Sequence, residues 1–333
     1  MVVLAGILLA QSLAATPVPP PPVLARADSV QITEWPVPWK DTRPRDPYVD
    51  PTTNRVWFVG QTGHYVAYLN PQTGEFKRFE LEPGTGPHNL IVDKQGFVWY
   101  AGNRNAHIGR LDPKDGKITK YPMPDSAVRD PHTLVFDSKG NIWFTAQGGN
   151  QIGHLVTSSG QVHLIKVSAE RSRPYGIVVD SRDRPWIALF GTNKIATVDP
   201  ASMQVREFTL PEGARPRRLQ LTSDGIVWYV DYARGFLGRL DPESGQVTEH
   251  QLPGGAQARP YAMAVDDRDR LWFVETGAQP NRFVGYDPKS KQFLASTPVP
   301  SGGGTVRHMI FHKPGNEIWF GTDTGNIGRA KLP

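Results

Sequence analysis

The sequence predicts an all-β fold, a seven-bladed β-propeller with four-stranded blades, on three observations. Seven tryptophans, Trp57, Trp99, Trp143, Trp186, Trp228, Trp272 and Trp319, recur at spacings of 42, 44, 43, 42, 44 and 47. The same text returns around them, as "PHNLIVDKQGFVWYAG", "PHTLVFDSKGNIWFTA", "PYGIVVDSRDRPWIAL" and "PYAMAVDDRDRLWFVE". Gly 33 and Pro 31 are spread along the 333 residues instead of pooling in one linker, as many short strands joined by turns require. Four short strands repeated every 42 to 47 residues make a propeller blade. A parallel β-solenoid needs much shorter repeats, and a sandwich does not repeat.

The elements follow in chain order. "MVVLAGILLAQSLAATPVPPPP" joins an apolar run to small residues at Ala14 and Ala15 and then to prolines. Residues 1–27 thus read as an export signal and a stiff linker, which places the protein in the periplasm or outside the cell. No Lys or Arg precedes the apolar run, which is atypical, and the run is too short to span a membrane. Residues 28–333 form the propeller. Within a unit, "NLIVD" is the first strand, "KQG" or "SKG" a tight turn, and "FVWYA" the second strand. "IGRLDP" and, after another Gly turn, "ITKYPMP" are the third and fourth. The last unit stops at "NIGRAKLP", where the others go on to a fourth strand, and "QITEWPVP" at residues 31–38 matches "KITKYPMP" at 117–124. The N-terminal strand is therefore expected to complete the seventh blade and cover its open edge. One Trp per blade is expected to pack between neighbouring blades. Asp93, Asp137, Asp180 and Asp266 stand at the first turn, where a carboxylate caps backbone N–H groups.

Composition limits the function. The absence of cysteine excludes disulfides, thiolate metal sites and a cysteine nucleophile. The net charge of +5 comes from scattered Lys and Arg with no basic run, so no nucleic-acid partner is expected. The expected partner is a small-molecule or anionic ligand in the central channel of a monomer.

In a propeller the first strand of each blade is innermost, and its opening residues ring the channel mouth. The slot held by His88 and His132 reads Arg45, His88, His132, Tyr175, Arg217, Tyr261 and Arg307 around the ring. The slot two before reads Arg43, Gly86, Asp130, Arg173, Arg215, Arg259 and Thr305. The slot fourteen after, expected to face the first across the hairpin, reads Gly60, Gly102, Ala146, Leu189, Asp231, Glu275 and Thr322.

The repeat "PHxLxxDxxGxxWFT…IGRLDPxxGxITxYPLP" resembles that of the streptogramin B lyases, the virginiamycin B lyase family of seven-bladed propellers, over residues 30–333. The resemblance implies a Mg²⁺ ion at the channel mouth, polarising the substrate while a histidine takes a proton, so that an ester opens by β-elimination, a C–O lyase reaction. Such chemistry needs hard oxygen ligands, a Lewis acid at the developing enolate and a neutral imidazole. The family motif is a His in one blade, then an acidic-x-His pair in the next, and a carboxylate fourteen residues after the second His. On it, His88 matches the substrate-side histidine, Asp130 a metal carboxylate and His132 the general base, whereas the second carboxylate falls on Ala146. In a later register Glu275 matches that second carboxylate, with Arg217, Arg259 and Tyr261 in the other places. No register supplies all four groups, so the activity implied is lyase-like, retained, changed or lost.

Two other readings stand beside it. Arg43, Arg45, Arg173, Arg215, Arg217, Arg259 and Arg307 would, if convergent, bind a carboxylate or phosphate in bidentate fashion. With Tyr175 and Tyr261 they suggest a non-enzymatic binder of an anionic ligand, or a lyase acting on an anionic substrate. A lactonase-type hydrolase is the third class, with thin support from Asp130, Asp231 and Glu275 spread over three blades.

Overall fold

The computed structural model describes residues 29–294 and 296–333. The expected export signal and linker, residues 1–27, lie outside them. Seven antiparallel sheets stand in a ring. Blade one comprises Pro44–Val49, Val56–Gly60, Tyr65–Leu69 and Phe76–Glu80, and blades two to five repeat that meander. In blade six the outer strand comes in two pieces, Gln292–Phe293 and Thr297–Pro298, both paired with Arg282–Asp287. Blade seven takes Met309–His312, Glu317–Gly321 and Asn326–Lys331 from the C-terminal end and Gln31–Pro36 from the N-terminal end. Those last two strands run antiparallel from Gln31↔Lys331 to Pro36↔Asn326, so the predicted closure is what the structure shows. Among the described residues no helix is long and apolar enough to cross a membrane.

The repeated residues explain why the ring holds. Alternating side chains leave each sheet on both faces, and every inter-blade gap fills with apolar groups. Trp57 packs with Leu90, Val92 and Val98 of the next blade, Trp99 with Leu134 and Phe144, and Trp186 with Leu219 and Val227. Trp319 closes the circle against Val49, Val56 and Phe58 of blade one. Burying an aromatic of this size is worth about 2–3 kcal/mol on the transfer scale. The turn aspartates anchor the same tryptophans. Asp93 accepts the N–H groups of Gln95 and Phe97, each at 3.0 Å, and the Trp99 indole N–H at 2.8 Å. Asp180 and Asp266 repeat the arrangement with Trp186 and Trp272. Asp137 caps its turn in the same way.

One register differs from the simple hairpin. The residue paired with Gly102, Ala146, Leu189, Asp231 and Glu275 is the proline one step before the expected slot: Pro87, Pro131, Pro174, Pro216 and Pro260. A β-bulge just after each proline supplies the extra residue. A bulge bends its strand and re-aims side chains. Here it turns consecutive residues of each inner strand toward the channel axis.

Candidate functional site

The slot expected to ring the channel does so. His88 and His132 lie face to face, ring centres 3.6 Å apart, and His132 reaches Tyr175 at 4.3 Å. Tyr175 and Tyr261 share a hydrogen bond between their phenol oxygens. The Arg217 guanidinium sits 3.5 Å from the Tyr261 ring centre, 4.3 Å from Tyr232 and 4.7 Å from Phe190. Arg307 stands 5.8 Å from the same Tyr261 ring. The plug is tight: His132 and Tyr261 are 2% and 1% exposed, while Arg217 and Arg307 remain half-buried on the outer side.

Beneath this plug lies a second polar layer that the sequence did not disclose: the bulges place Asp46, Asn89, Thr133 and Arg218 there, and His308 joins them from just before the inner strand of blade seven. Asp46 accepts hydrogen bonds from Arg45 Nε at 2.9 Å and Asn89 Nδ2 at 3.1 Å, with Arg218 Nη2 at 3.6 Å. Arg218 Nη1 donates to Thr133 Oγ1 at 3.1 Å, and that hydroxyl lies 2.8 Å from His132 Nδ1. Each residue is one place beyond the expected slot. A strict two-residue period sends such positions into the blade core, and for Asp46, Asn89, Thr133 and Arg218 the bulge brings them to the channel. The one available signal was their polarity at places where an inner strand should be apolar. Below them the channel opens into a cavity of about 360 Å³, walled by residues such as Leu90, Leu134, Ile177, Ala264 and Met309.

The electrostatics follow from burial and from these neighbours. Burial, reinforced by Arg45 and Arg218, holds His88 and His132 well below the usual histidine range, so both imidazoles are neutral at pH 7. His88 Nδ1 lies 3.2 Å from the His132 carbonyl, a bond that places its proton on Nδ1. Burial also lowers His308, to about 4, with Arg218 and Arg45 adding to the shift against Asp46. Burial alone would raise Asp46, but Arg45, His308 and Arg218 outweigh it and hold the carboxyl well below the usual range. Burial likewise pushes Tyr175 up. Tyr261 is the exception among the tyrosines: burial opposes ionisation, yet Arg217, Arg45 and Arg218 pull it down to about 8.

The candidate metal carboxylates have other partners. Asp130 accepts the backbone N–H groups of Gly148 and, at 3.0 Å, Gly149, and so fastens the loop beyond Ala146. Glu275 is fully buried, accepts Gly254 N–H at 2.7 Å and pairs with Arg282 Nη2 at 2.8 Å. Asp231 accepts Arg215 N–H at 2.9 Å and pairs with Arg234. Among the described residues no three His, Asp or Glu side chains gather as a metal would need. The donors present do not fit Mg²⁺: Asp130, Asp231 and Glu275 are engaged by N–H groups or a guanidinium, and the channel-facing Asp46 is shared by Arg45, Asn89 and Arg218.

The arginines divide in two. Arg45, Arg217, Arg218 and Arg307 converge on the channel. Arg43, Arg173 and Arg259 precede the strand-opening prolines with φ of 48°, 50° and 44°, and their side chains are exposed on the rim. Arg215 donates to the Ala214 carbonyl at 2.8 Å. Of the predicted substrate residues, the structure therefore places His88, Tyr175, Arg217, Tyr261 and Arg307 together, beside the predicted base His132, and leaves Arg259 outside.

The comparisons agree with this architecture. The virginiamycin B lyase family model matches residues 24–198 and 185–330. A virginiamycin B lyase from Staphylococcus aureus superposes with a TM-score of 0.82 at 24% identity, over 92% of this chain and all of the other. The same enzyme as a catalytically inactive histidine-to-alanine variant, with quinupristin, gives 0.82 at 25% identity over the same shares. The hydrazine synthase of Kuenenia stuttgartiensis shares the fold alone, with a TM-score of 0.73 at 15% identity over 88% of this chain and 96% of that one. No curated protein matches the chain in sequence. With the family model spanning nearly all seven blades, this chain belongs to the virginiamycin B lyase family.

Proposed function

We propose that the protein binds an anionic ligand, a carboxylate foremost, at the arginine–tyrosine side of its channel mouth. One observation carries this reading, the unbalanced charge there. Arg45 and Arg218 share the single carboxylate of Asp46, and Arg307 is held by Asp323. Among the described residues Arg217 has no carboxylate partner, and its buried Nε has no hydrogen-bond acceptor. Cations in a dry site without matching acids are costly, and a ligand anion supplies the missing charge. A guanidinium takes both oxygens of a carboxylate in parallel, which gives direction as well as attraction. The test is calorimetric titration with malonate and with inorganic phosphate at low salt. Saturable binding is expected, weakened about tenfold or more in Arg217→Ala, as loss of a charge-assisted pair implies. Wild-type protein that binds neither probe sinks the reading.

A second reading, lyase chemistry, draws on the neutral imidazoles. His132 as general base and His88 on the substrate side meet the protonation requirement for abstracting a proton at pH 7. Incubation with a type B streptogramin, with and without Mg²⁺, followed by mass analysis, decides it. A linear product of unchanged mass supports elimination, and one heavier by a water supports a lactonase-type hydrolysis. No product removes both for this substrate.

A further inference from the structure

We infer that the channel carries a second ligand site at the end opposite the plug, a pocket for a neutral, largely apolar molecule that presents one hydroxyl group to His308. The inference stands apart from the anion-binding reading above. The plug closes the channel between the two places, with His132 and Tyr261 almost fully buried in it.

The walls follow from the sequence of the inner strands. Past its bulge a strand continues through apolar residues, as in "LIVD", "LVFD" and "IVVD", and these line the cavity below the polar layer. Leu90, Leu134 and Met309 are buried in its wall, whereas Phe136, Val265 and Phe311 are half-buried. Tyr48 and Phe136 also line the open groove alongside, so the cavity has a way in from that side. Its volume of about 360 Å³ lies in the range of small-molecule sites. At interior packing density such a space holds roughly ten to fifteen non-hydrogen atoms.

The polar end selects the head group. Asn89 donates to Asp46 and accepts the Leu134 N–H at 2.9 Å, and Thr133 accepts from Arg218. Gln220 donates to the Met263 carbonyl at 3.1 Å. His308 differs: among the described residues its buried Nδ1 has no hydrogen-bond partner. A buried polar atom left open is costly, and an occupant that reaches it removes the cost. Burial keeps this imidazole neutral at pH 7. A neutral imidazole has one donor and one acceptor nitrogen, and a hydroxyl, which both donates and accepts, answers Nδ1 in either tautomer. A formal charge suits the place poorly. Of the charged groups facing His308, Asp46 acts on it more strongly than Arg218 or Arg45. An anion therefore meets the acid first, a cation meets two guanidiniums, and the apolar walls replace the water either would lose.

The experiment is equilibrium dialysis of the purified full chain with 2-naphthol, with 2-methylnaphthalene, in which a methyl replaces the hydroxyl, and with 2-naphthoate. Saturable binding of 2-naphthol at one site is expected, with 2-naphthoate about tenfold weaker or more, as for a buried charge without a partner. In His308→Leu the affinity for 2-naphthol relative to 2-methylnaphthalene should fall about tenfold, as for loss of a buried hydrogen bond. Saturating malonate should leave 2-naphthol bound, because the plug stands between the two places. In the wild-type protein the His308 ring nitrogen resonances should move as 2-naphthol is added, a readout that does not depend on how the variant folds. A cavity that holds only water, seen as no binding of 2-naphthol, overturns the proposal. So do an unchanged affinity ratio in His308→Leu, unmoved His308 resonances, or displacement by malonate, which would put the probe at the channel mouth. Equal binding of 2-naphthoate overturns the assignment of a neutral head group.

Discussion

Blades two and three put His88 and His132 into the channel, whereas blades four to six put Tyr175, Arg217 and Tyr261 there from the same slot of the same repeat. The first pair is stacked, neutral and joined through a backbone carbonyl. The second group is cationic and aromatic, with its positive charge only partly matched by acids. Identical backbones thus support opposite electrostatics within one ring. A repeat fold fixes where side chains point and leaves their chemistry free at each position. The layer beneath ties both sectors together, since Asp46 reaches Asn89 of blade two and Arg218 of blade five.

That tie is where the comparison breaks most visibly. Asp46→Asn removes the one acid shared by Arg45 and Arg218 and leaves buried cations unmatched. A loss of about 3–5 kcal/mol is expected, by analogy with broken buried ion pairs, and denaturant unfolding measures it. If Asp46→Asn is neutral, the two sectors are energetically independent.

A smaller effect separates the sectors by pH. Folded His308 is held down to about 4, while an unfolded histidine takes up a proton below about 6.5. Between those values the unfolded chain binds more protons, so stability falls as pH drops from 6.5 toward 4. His88 and His132, also lowered, act in the same direction. Asp46, with its depressed pKa, adds a further loss below the ordinary carboxylate value of 3.8. His308→Asn should reduce the slope of stability against pH in the upper window by about one proton. Urea midpoints measured across that range give the slope directly.

The smallest expected effect tests the rim. Arg173 and Arg259 share the arginine pattern of the sequence but project outside the channel, so Arg173→Ala and Arg259→Ala should change anion affinity less than about twofold and stability by under about 0.5 kcal/mol. Arg217→Ala measured in the same titration supplies the contrast. Equal losses at Arg173 and Arg217 would mean that the whole rim attracts the ligand and that the sectors do not differ.

The fold was legible because its signals are redundant: seven tryptophans, the aspartates that cap the first turns, three of which also hold an indole, and a C-terminal unit lacking the strand found at residues 31–38. The inner slot was legible for the same reason, since a proline marks it in six of the blades. Two things were not. The bulge after each proline leaves no mark in residue type, so Asp46, Asn89, Thr133 and Arg218 read as one face of a strand and lie on another. Asp130 and Glu275 present the carboxylates of a metal site in sequence. A carboxylate near glycine-rich loop backbone has N–H groups to accept, and only the coordinates reveal that Gly148, Gly149 and Gly254 take them.

The seal of the ring has a mechanical consequence. Gln31 lies opposite Lys331, so both chain ends leave the seventh blade from the same edge of one antiparallel ladder. A force drawing those ends apart peels the ladder from Gln31↔Lys331 toward Pro36↔Asn326 one rung at a time, as a zipper opens. The same six rungs loaded along the strands would share the load and yield together. The circle therefore resists heat through its packed inter-blade faces and yields readily to a pull on its two ends, and a tether attached at those ends would register the opening as a low-force event.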